Sequence, residues 1–204
     1  MPNPIPDSTK GLFPPEAAED LAAICERILP GGDGRPSASQ AGVPEYVEGQ
    51  LAGPWGQGAR MYRQGPFEEP ADEGHGWQSP MTPAEVYRSG LAALDRYTAG
   101  RFGKRFAELP EDAQDEVVGA WADGKVDSFE DVDGKAFFAM VRKNVAEGLF
   151  SDPLYGGNRE MVGWRWLGYP GVAAAHGGEY AERVERYEEP YSPEPRSLSW
   201  RESE

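Results

Sequence analysis

Hydrophobic residues recur every three or four positions in several separate stretches of the chain, which is the spacing of one face of an α-helix. The clearest stretch follows Thr82-Pro83-Ala84-Glu85, which combines a hydroxyl cap, a proline at the first helical position and a glutamate three residues after the cap. Val86, Leu91 and Leu94 lie on one side of the helix that follows. The pattern predicts a helix that begins at residue 82 and runs to about Arg101.

The same spacing predicts four further helices. An apolar stripe that ends at Leu29 predicts one helix over about 14–29, and a weaker stripe predicts another over 38–51. Pro110 and Asp133 mark the beginnings of two more, and the last of these carries a core-forming stripe from Phe137 to Leu149. The sequence therefore predicts an all-α fold, with about five helices in a small bundle-like domain.

Several segments show neither the helical spacing of three to four residues nor the two-residue alternation of a strand. They are rich in glycine and proline, of which the chain has 26 and 19. Residues 53–80 predict a long irregular loop that carries large aromatic side chains, and a second irregular segment, rich in glycine and aromatics, covers 150–171. Trp164 and Trp166 alternate there, which suits a short extended segment, although neighbouring glycines argue against a regular strand. We expect an extended N-terminal arm at 1–13, a helical domain at 14–178 and a C-terminal tail at 179–204.

The charge balance narrows the range of partners. A formal net charge of −15 argues against nucleic acids and anionic membrane surfaces, both of which attract basic proteins. No stretch reaches the roughly 20 apolar residues of a membrane span. The single cysteine, Cys25, excludes an internal disulfide framework, and its place on an apolar helix stripe predicts a small buried core residue.

Residues that could carry chemistry are few and isolated. His75 and His176 lack the neighbouring ligands of a metal site, so we expect no metal to be bound. No nucleotide-binding glycine fingerprint, phosphate-binding loop or nucleophile elbow is present. Two hypotheses other than a binding role stay open: a self-standing enzyme that uses Asp152 and Glu160 for acid–base work, and a stand-alone acidic scaffold.

A longer ordered pattern runs from Phe137 to the end of the glycine-rich segment. It comprises Phe137-Phe138, Glu147-Gly148, Asp152-Pro153, Tyr155-Gly156-Gly157-Asn158, Gly163-Trp164 and Gly168-Tyr169-Pro170-Gly171. This pattern resembles the gluconate 2-dehydrogenase subunit 3 family, the small subunit of membrane-associated, flavin-dependent sugar and sugar-acid dehydrogenases. The resemblance covers roughly residues 15–175 and leaves both ends of the chain uncovered.

The resemblance implies a partner: a large FAD-bearing subunit of the glucose-methanol-choline type, often accompanied by a multihaem cytochrome c. FAD and haem c would reside in those subunits and no cofactor in this chain, which would support folding, cofactor acquisition or export of the large subunit. Family members commonly begin with a twin-arginine leader, and the residues from Met1 lack one. We therefore expect a periplasmic location by resemblance, and a cytoplasmic one if Met1 is the native start.

We expect the segment that begins at Phe150 to be the docking face for the flavoprotein, because aromatic and arginine side chains are favoured interface anchors. The alternative for each aromatic is that it closes this protein's own core. The predicted partner-binding residues are Phe150, Asp152, Pro153, Tyr155, Gly156, Gly157, Asn158, Trp164, Arg165, Trp166, Tyr169 and Pro170.

Overall fold

Helices supply the regular structure of the described chain, which comprises residues 11–67 and 79–171 of a computed structural model. Within these ranges a single isolated β-bridge, between Gly32 and Arg35, accompanies the helices. The six α-helices are α1 (Pro15–Ile28), α2 (Val43–Ala52), α3 (Pro83–Phe102), α4 (Glu111–Ala122), α5 (Gly134–Phe150) and α6 (Val162–Leu167). Three 3-10 turns cover Phe106–Glu108, Pro153–Tyr155 and Arg159–Met161. The all-α prediction is confirmed.

The helix starts follow the capping signals in the sequence. At the beginning of α3 the Glu85 amide donates to the Thr82 hydroxyl at 3.3 Å, and the Thr82 amide donates to the Glu85 carboxylate at 2.7 Å. The Asp133 carboxylate accepts from the Ala136 amide at 2.7 Å in the first turn of α5. These contacts satisfy amides that a helix start otherwise leaves without partners. The capping predictions at Thr82 and Asp133 are confirmed.

The chain divides into two compact units. Unit 1 consists of the residues up to Leu21 together with Glu48–Met140, and its core is an aromatic cluster around Phe137. The Phe137 ring lies 5.0 Å from the Trp121 ring and 5.2 Å from the Tyr87 ring, centroid to centroid. Phe137 fits because the facing position on α3 is Gly90, where any Cβ would overlap the ring. Aromatic packing at this density holds α3, α4 and the first turns of α5 together.

Unit 2 consists of Ala22–Val47 and the residues from Val141 onward. Its described core residues are mostly small or branched, namely Ile24, Cys25, Ala38, Ala41, Val43, Tyr46, Val47, Val141, Val145, Leu149 and Trp164. Cys25 is fully buried, as predicted, and burial raises the pKa of its thiol to about 12, with Glu26 and Glu45 adding to the effect. The thiolate is therefore scarce at neutral pH.

Parts of the predicted organisation lie outside the described residues. They include residues 1–10, residues 68–78 with His75, and residues 172–204 with His176, so both predicted terminal extensions stay predictions. Residues 53–67 form turns and irregular backbone, and they expose Trp55, Tyr62 and Phe67. Among the helices of the described ranges, none has the length and apolar character needed to cross a membrane.

Candidate docking surface

The chain folds back after α5 through two 3-10 turns, the first of which is capped by a side chain. The Asp152 carboxylate accepts from the Leu154 amide at 3.0 Å, and Pro153 occupies the first position of the turn that follows. Gly156 ends this turn with a φ of 93°, a left-handed conformation that glycine adopts at little cost. In the motif from Asp152 to Gly156, Asp152 therefore caps the 3-10 turn, Pro153 begins it and Gly156 ends it.

Asn158 is the hydrogen-bonding centre of the reversal, and its exposed fraction is 0%. Its side-chain oxygen accepts from the Gly163 amide at 2.8 Å, and its side-chain nitrogen donates to the Ser151 carbonyl at 2.9 Å. Its own amide donates to the Gly148 carbonyl at 2.7 Å. One buried side chain therefore ties the end of α5 to the beginning of α6.

Three residues without the freedom of glycine take left-handed backbone in this short stretch. The φ angles are 45° at Asn158, 55° at Glu160 and 57° at Met161. Asparagine tolerates this region, whereas glutamate and methionine adopt it at a cost on the order of 1–3 kcal/mol each. The hydrogen bonds of Asn158 stabilise the strained path.

Glycines allow the reversal to pass close to α5. A Cβ at Gly157 would overlap the Gly148 carbonyl, and a Cβ at Gly163 would overlap the Leu149 carbonyl. Any larger side chain at either position would push the returning segment away from the helix. The spacing of glycines in the motif therefore reflects close backbone packing.

The short helix α6 has one buried and one outward-facing side. Trp164 is only 6% exposed, and its indole N–H donates to the Phe150 carbonyl at 2.9 Å. Trp166 stacks on Phe150 with a centroid distance of 6.2 Å and an interplanar angle of 13°. The extended segment suggested by the alternation of Trp164 and Trp166 is wrong, because both residues belong to α6, which Gly168 ends at a φ of 70°.

The reversal leaves large apolar side chains in contact with solvent. Tyr155 is 63% exposed and Leu167 is 55% exposed, while Phe150 and Tyr169 are each more than a third exposed. Trp166 is partly exposed beside Phe150. We call these five side chains the aromatic surface: Phe150, Tyr155, Trp166, Leu167 and Tyr169.

A family model described as gluconate 2-dehydrogenase subunit 3 matches residues 15–171 of the chain. The chain belongs to the gluconate 2-dehydrogenase subunit 3 family. No curated protein matches it, and no solved structure does. The match contains all described residues from Pro15 onward, including the whole aromatic surface. The family description makes this chain a subunit of a multisubunit dehydrogenase complex, which implies protein partners.

The structure divides the twelve predicted partner-binding residues of this subunit 3 chain into three groups. Phe150, Tyr155, Gly156, Arg165 and Tyr169 are exposed. Asp152, Pro153 and Trp166 are partly exposed. Gly157, Asn158, Trp164 and Pro170 are buried and shape the surface from inside. Leu167 was not among the predicted residues, because interface anchors were sought among aromatic and arginine side chains. Its position just before Gly168, which ends α6, is a signal that the sequence does contain.

Several polar groups of this region have structural partners. The Asp152 carboxylate serves as a cap, and Asn144 donates to Glu147 at 2.9 Å. Tyr46 packs near Gly148, and the pKa of its hydroxyl is raised chiefly by burial and then by the charge of Glu147. Across residues 11–67 and 79–171, no group of three His, Cys, Asp or Glu side chains could hold a metal ion.

Proposed function

We propose that this chain is a non-catalytic small subunit, which binds and stabilises the FAD-bearing catalytic subunit of a sugar or sugar-acid dehydrogenase complex. The observation that carries the proposal is the aromatic surface, a group of exposed large apolar side chains within the family-matched region. Exposed apolar patches of this kind mark protein interaction sites, and tyrosine and tryptophan are the favoured anchors in them.

The rigidity of the supporting segment also supports a docking role. Asn158 and Trp164 are buried, and their hydrogen bonds fix the path of the chain beneath the exposed rings. A surface that is held in place before binding loses little conformational entropy when a partner covers it. Residues of high backbone strain are also typical of functional sites rather than of neutral surface.

The proposed partner is a large flavoprotein of the glucose-methanol-choline type, and a multihaem cytochrome c is the proposed third subunit. FAD and haem then reside in those chains, and this chain contributes binding surface and support during folding and cofactor acquisition. The partner types follow from the family resemblance, while the surface that meets them follows from the exposed side chains.

Co-expression with a candidate FAD-bearing dehydrogenase subunit from the same genome tests the proposal. Replacing Tyr155 and Leu167 together with serine removes two of the most exposed apolar groups without touching the buried hydrogen bonds. We expect less flavoprotein to be recovered, and the recovered protein to contain less flavin. Flavin content is measured as the ratio of flavin absorbance to protein concentration. Dehydrogenase activity with an artificial acceptor should fall in parallel.

Tyr62 offers a matched control. Its exposure of 61% is close to that of Tyr155, but it belongs to unit 1. Tyr62→Ser should leave yield, flavin content and activity at the wild-type level. Unchanged recovery with the Tyr155 and Leu167 variant would contradict the proposal. Turnover of sugars by the isolated chain would instead support the self-standing enzyme that uses Asp152 and Glu160.

A further inference from the structure

Arg159 lies between the two halves of the aromatic surface in sequence, and it is not one of the twelve predicted partner-binding residues. Its neighbours Asn158, Glu160 and Met161 all have left-handed backbone, so the path of the chain through this stretch is strained. A contact that holds Arg159 in place therefore influences where α6 begins.

The backbone of Arg159 connects the core of unit 2 to α6. Its amide donates to the carbonyl of Ala41 at 3.0 Å, and Ala41 is fully buried. Its carbonyl accepts from the amide of Val162, the first residue of α6. The turn that supplies Ala41 is itself fixed, because the Ala41 amide donates to the Ser37 carbonyl at 3.1 Å. One residue thus joins the beginning of α6 to a buried part of unit 2.

The side chain of Arg159 makes a further contact at the same turn. A Cβ at Gly42 would lie 3.1 Å from its Nη2 atom, 3.3 Å from its Cζ atom and 3.4 Å from its Nε atom. The three distances are nearly equal, as expected when the planar guanidinium group lies flat over the glycine. Gly42 also has a φ of 68°, so glycine at this position provides both the turn and the close approach.

An ion pair accompanies this contact but contributes less to it. The Nη2 atom of Arg159 lies 3.3 Å from a carboxylate oxygen of Glu45, in the first turn of α2. Both side chains are more than half exposed, and exposed pairs of this kind contribute little to stability. A lysine could form the same pair, but its ammonium group has no flat face to place on the glycine.

We propose that Arg159 is a positioning residue for the aromatic surface: its planar group on Gly42 and its backbone hydrogen bonds hold α6 in the orientation that the partner binds. Arg159 acts through the position of α6, which carries Trp166 and Leu167. A surface that is held in place before binding loses less conformational entropy when it is covered. This inference rests on the proposed function, since it requires that the aromatic surface binds the flavoprotein.

Hydrogen exchange of the free full-length chain tests whether Arg159 holds α6. Arg159→Ala and Arg159→Lys both remove the planar contact, so both should accelerate exchange at the amides of Met161, Val162 and Gly163 about 5-fold. Wild-type exchange rates in Arg159→Ala would overturn the proposal. Wild-type rates in Arg159→Lys alone would overturn it as well, because the positive charge would then be sufficient without the planar contact.

Titration calorimetry with the purified flavoprotein tests the effect on binding. Arg159→Ala should weaken binding about 5-fold, and Arg159→Lys should weaken it nearly as much. Arg101→Ala is the matched control, because Arg101 also pairs with a glutamate, is 52% exposed and belongs to unit 1. It should leave the affinity and the exchange rates near α6 unchanged. An equal loss of affinity with Arg101→Ala would overturn the proposal, since the effect would then be one of net charge.

Thermal unfolding separates positioning from a general loss of structure. The melting temperature of free Arg159→Ala should fall by no more than about 4 °C, because the contact is local. A larger fall would make weaker binding a consequence of unfolding and would overturn the positioning role. Faster exchange with unchanged affinity would also overturn that role and leave the docking proposal standing. Absence of binding by the wild-type chain would overturn the proposed function itself, and the positioning role with it.

Discussion

Asn158 gives the sharpest test of how residues 150–171 are held in place. Replacing it with alanine removes the acceptor of the Gly163 amide and the donor to the Ser151 carbonyl, at 2.8 and 2.9 Å. The Gly163 amide is buried, so leaving it unpaired costs about 1–3 kcal/mol. The Ser151 carbonyl is half-buried and can turn to water, which limits its cost to about 1 kcal/mol.

Backbone conformation adds to the effect of Asn158→Ala. The φ of 45° suits asparagine, whereas alanine adopts this region at an extra cost of about 1 kcal/mol. The expected loss in the free energy of unfolding is about 3–5 kcal/mol in total. Asn158→Gly removes the same hydrogen bonds but fits the left-handed backbone, so it should be more stable than the alanine variant by about 1 kcal/mol.

Urea unfolding measures these differences, and hydrogen exchange locates them. Exchange should accelerate at the Gly163 amide and in neighbouring residues of unit 2, while the amides of α4 keep their protection. A change of less than about 0.5 kcal/mol for Asn158→Ala, with slow exchange retained at Gly163, would refute the assigned role of this side chain.

Three further predictions concern the two cores. Gly90→Ala should destabilise unit 1 by about 2 kcal/mol in chemical denaturation, since its Cβ overlaps the Phe137 ring, whereas Gly100→Ala on the same helix meets open space and should stabilise by up to about 1 kcal/mol. Cys25 should resist iodoacetamide at about pH 8 in the native state and react quickly in denaturant, because burial raises its pKa to about 12; rapid native labelling would contradict its burial. Burial raises the pKa of Asp20 above 3.8, so the folded state favours the protonated carboxyl. The wild-type chain should therefore lose stability relative to Asp20→Asn as the pH rises from about 3 to 7. A difference in the free energy of unfolding between the two chains that stays constant with pH would contradict this prediction.

Local signals in the sequence were sufficient to predict α1 to α5, whereas α6 was not predicted. Thr82 and Glu85 form the capping box that their spacing predicts, and Asp133 caps α5. The buried stripe of α5, at Phe137, Val141, Val145 and Leu149, follows from the helical period alone. Capping and periodicity act over a few residues, so a single sequence contains all that such predictions require.

The geometry of residues 150–171 depends on contacts that the sequence does not display. The left-handed conformations of Glu160 and Met161 occur beside hydrogen bonds of Asn158 to residues five and seven positions away from it. Trp164 in α6 likewise hydrogen-bonds the Phe150 carbonyl, fourteen residues earlier. Long-range contacts of this kind decide which aromatics are buried and which face solvent.

We propose that a flavoprotein covers the aromatic surface. Hydroxyl-radical footprinting of the purified complex measures this directly, because it reports the solvent access of each side chain by mass spectrometry and requires no substitution. We predict strong protection of Tyr155, Leu167 and Tyr169 in the complex and an unchanged signal at Tyr62. Equal labelling of Tyr155 and Leu167 with and without bound flavoprotein would contradict the account.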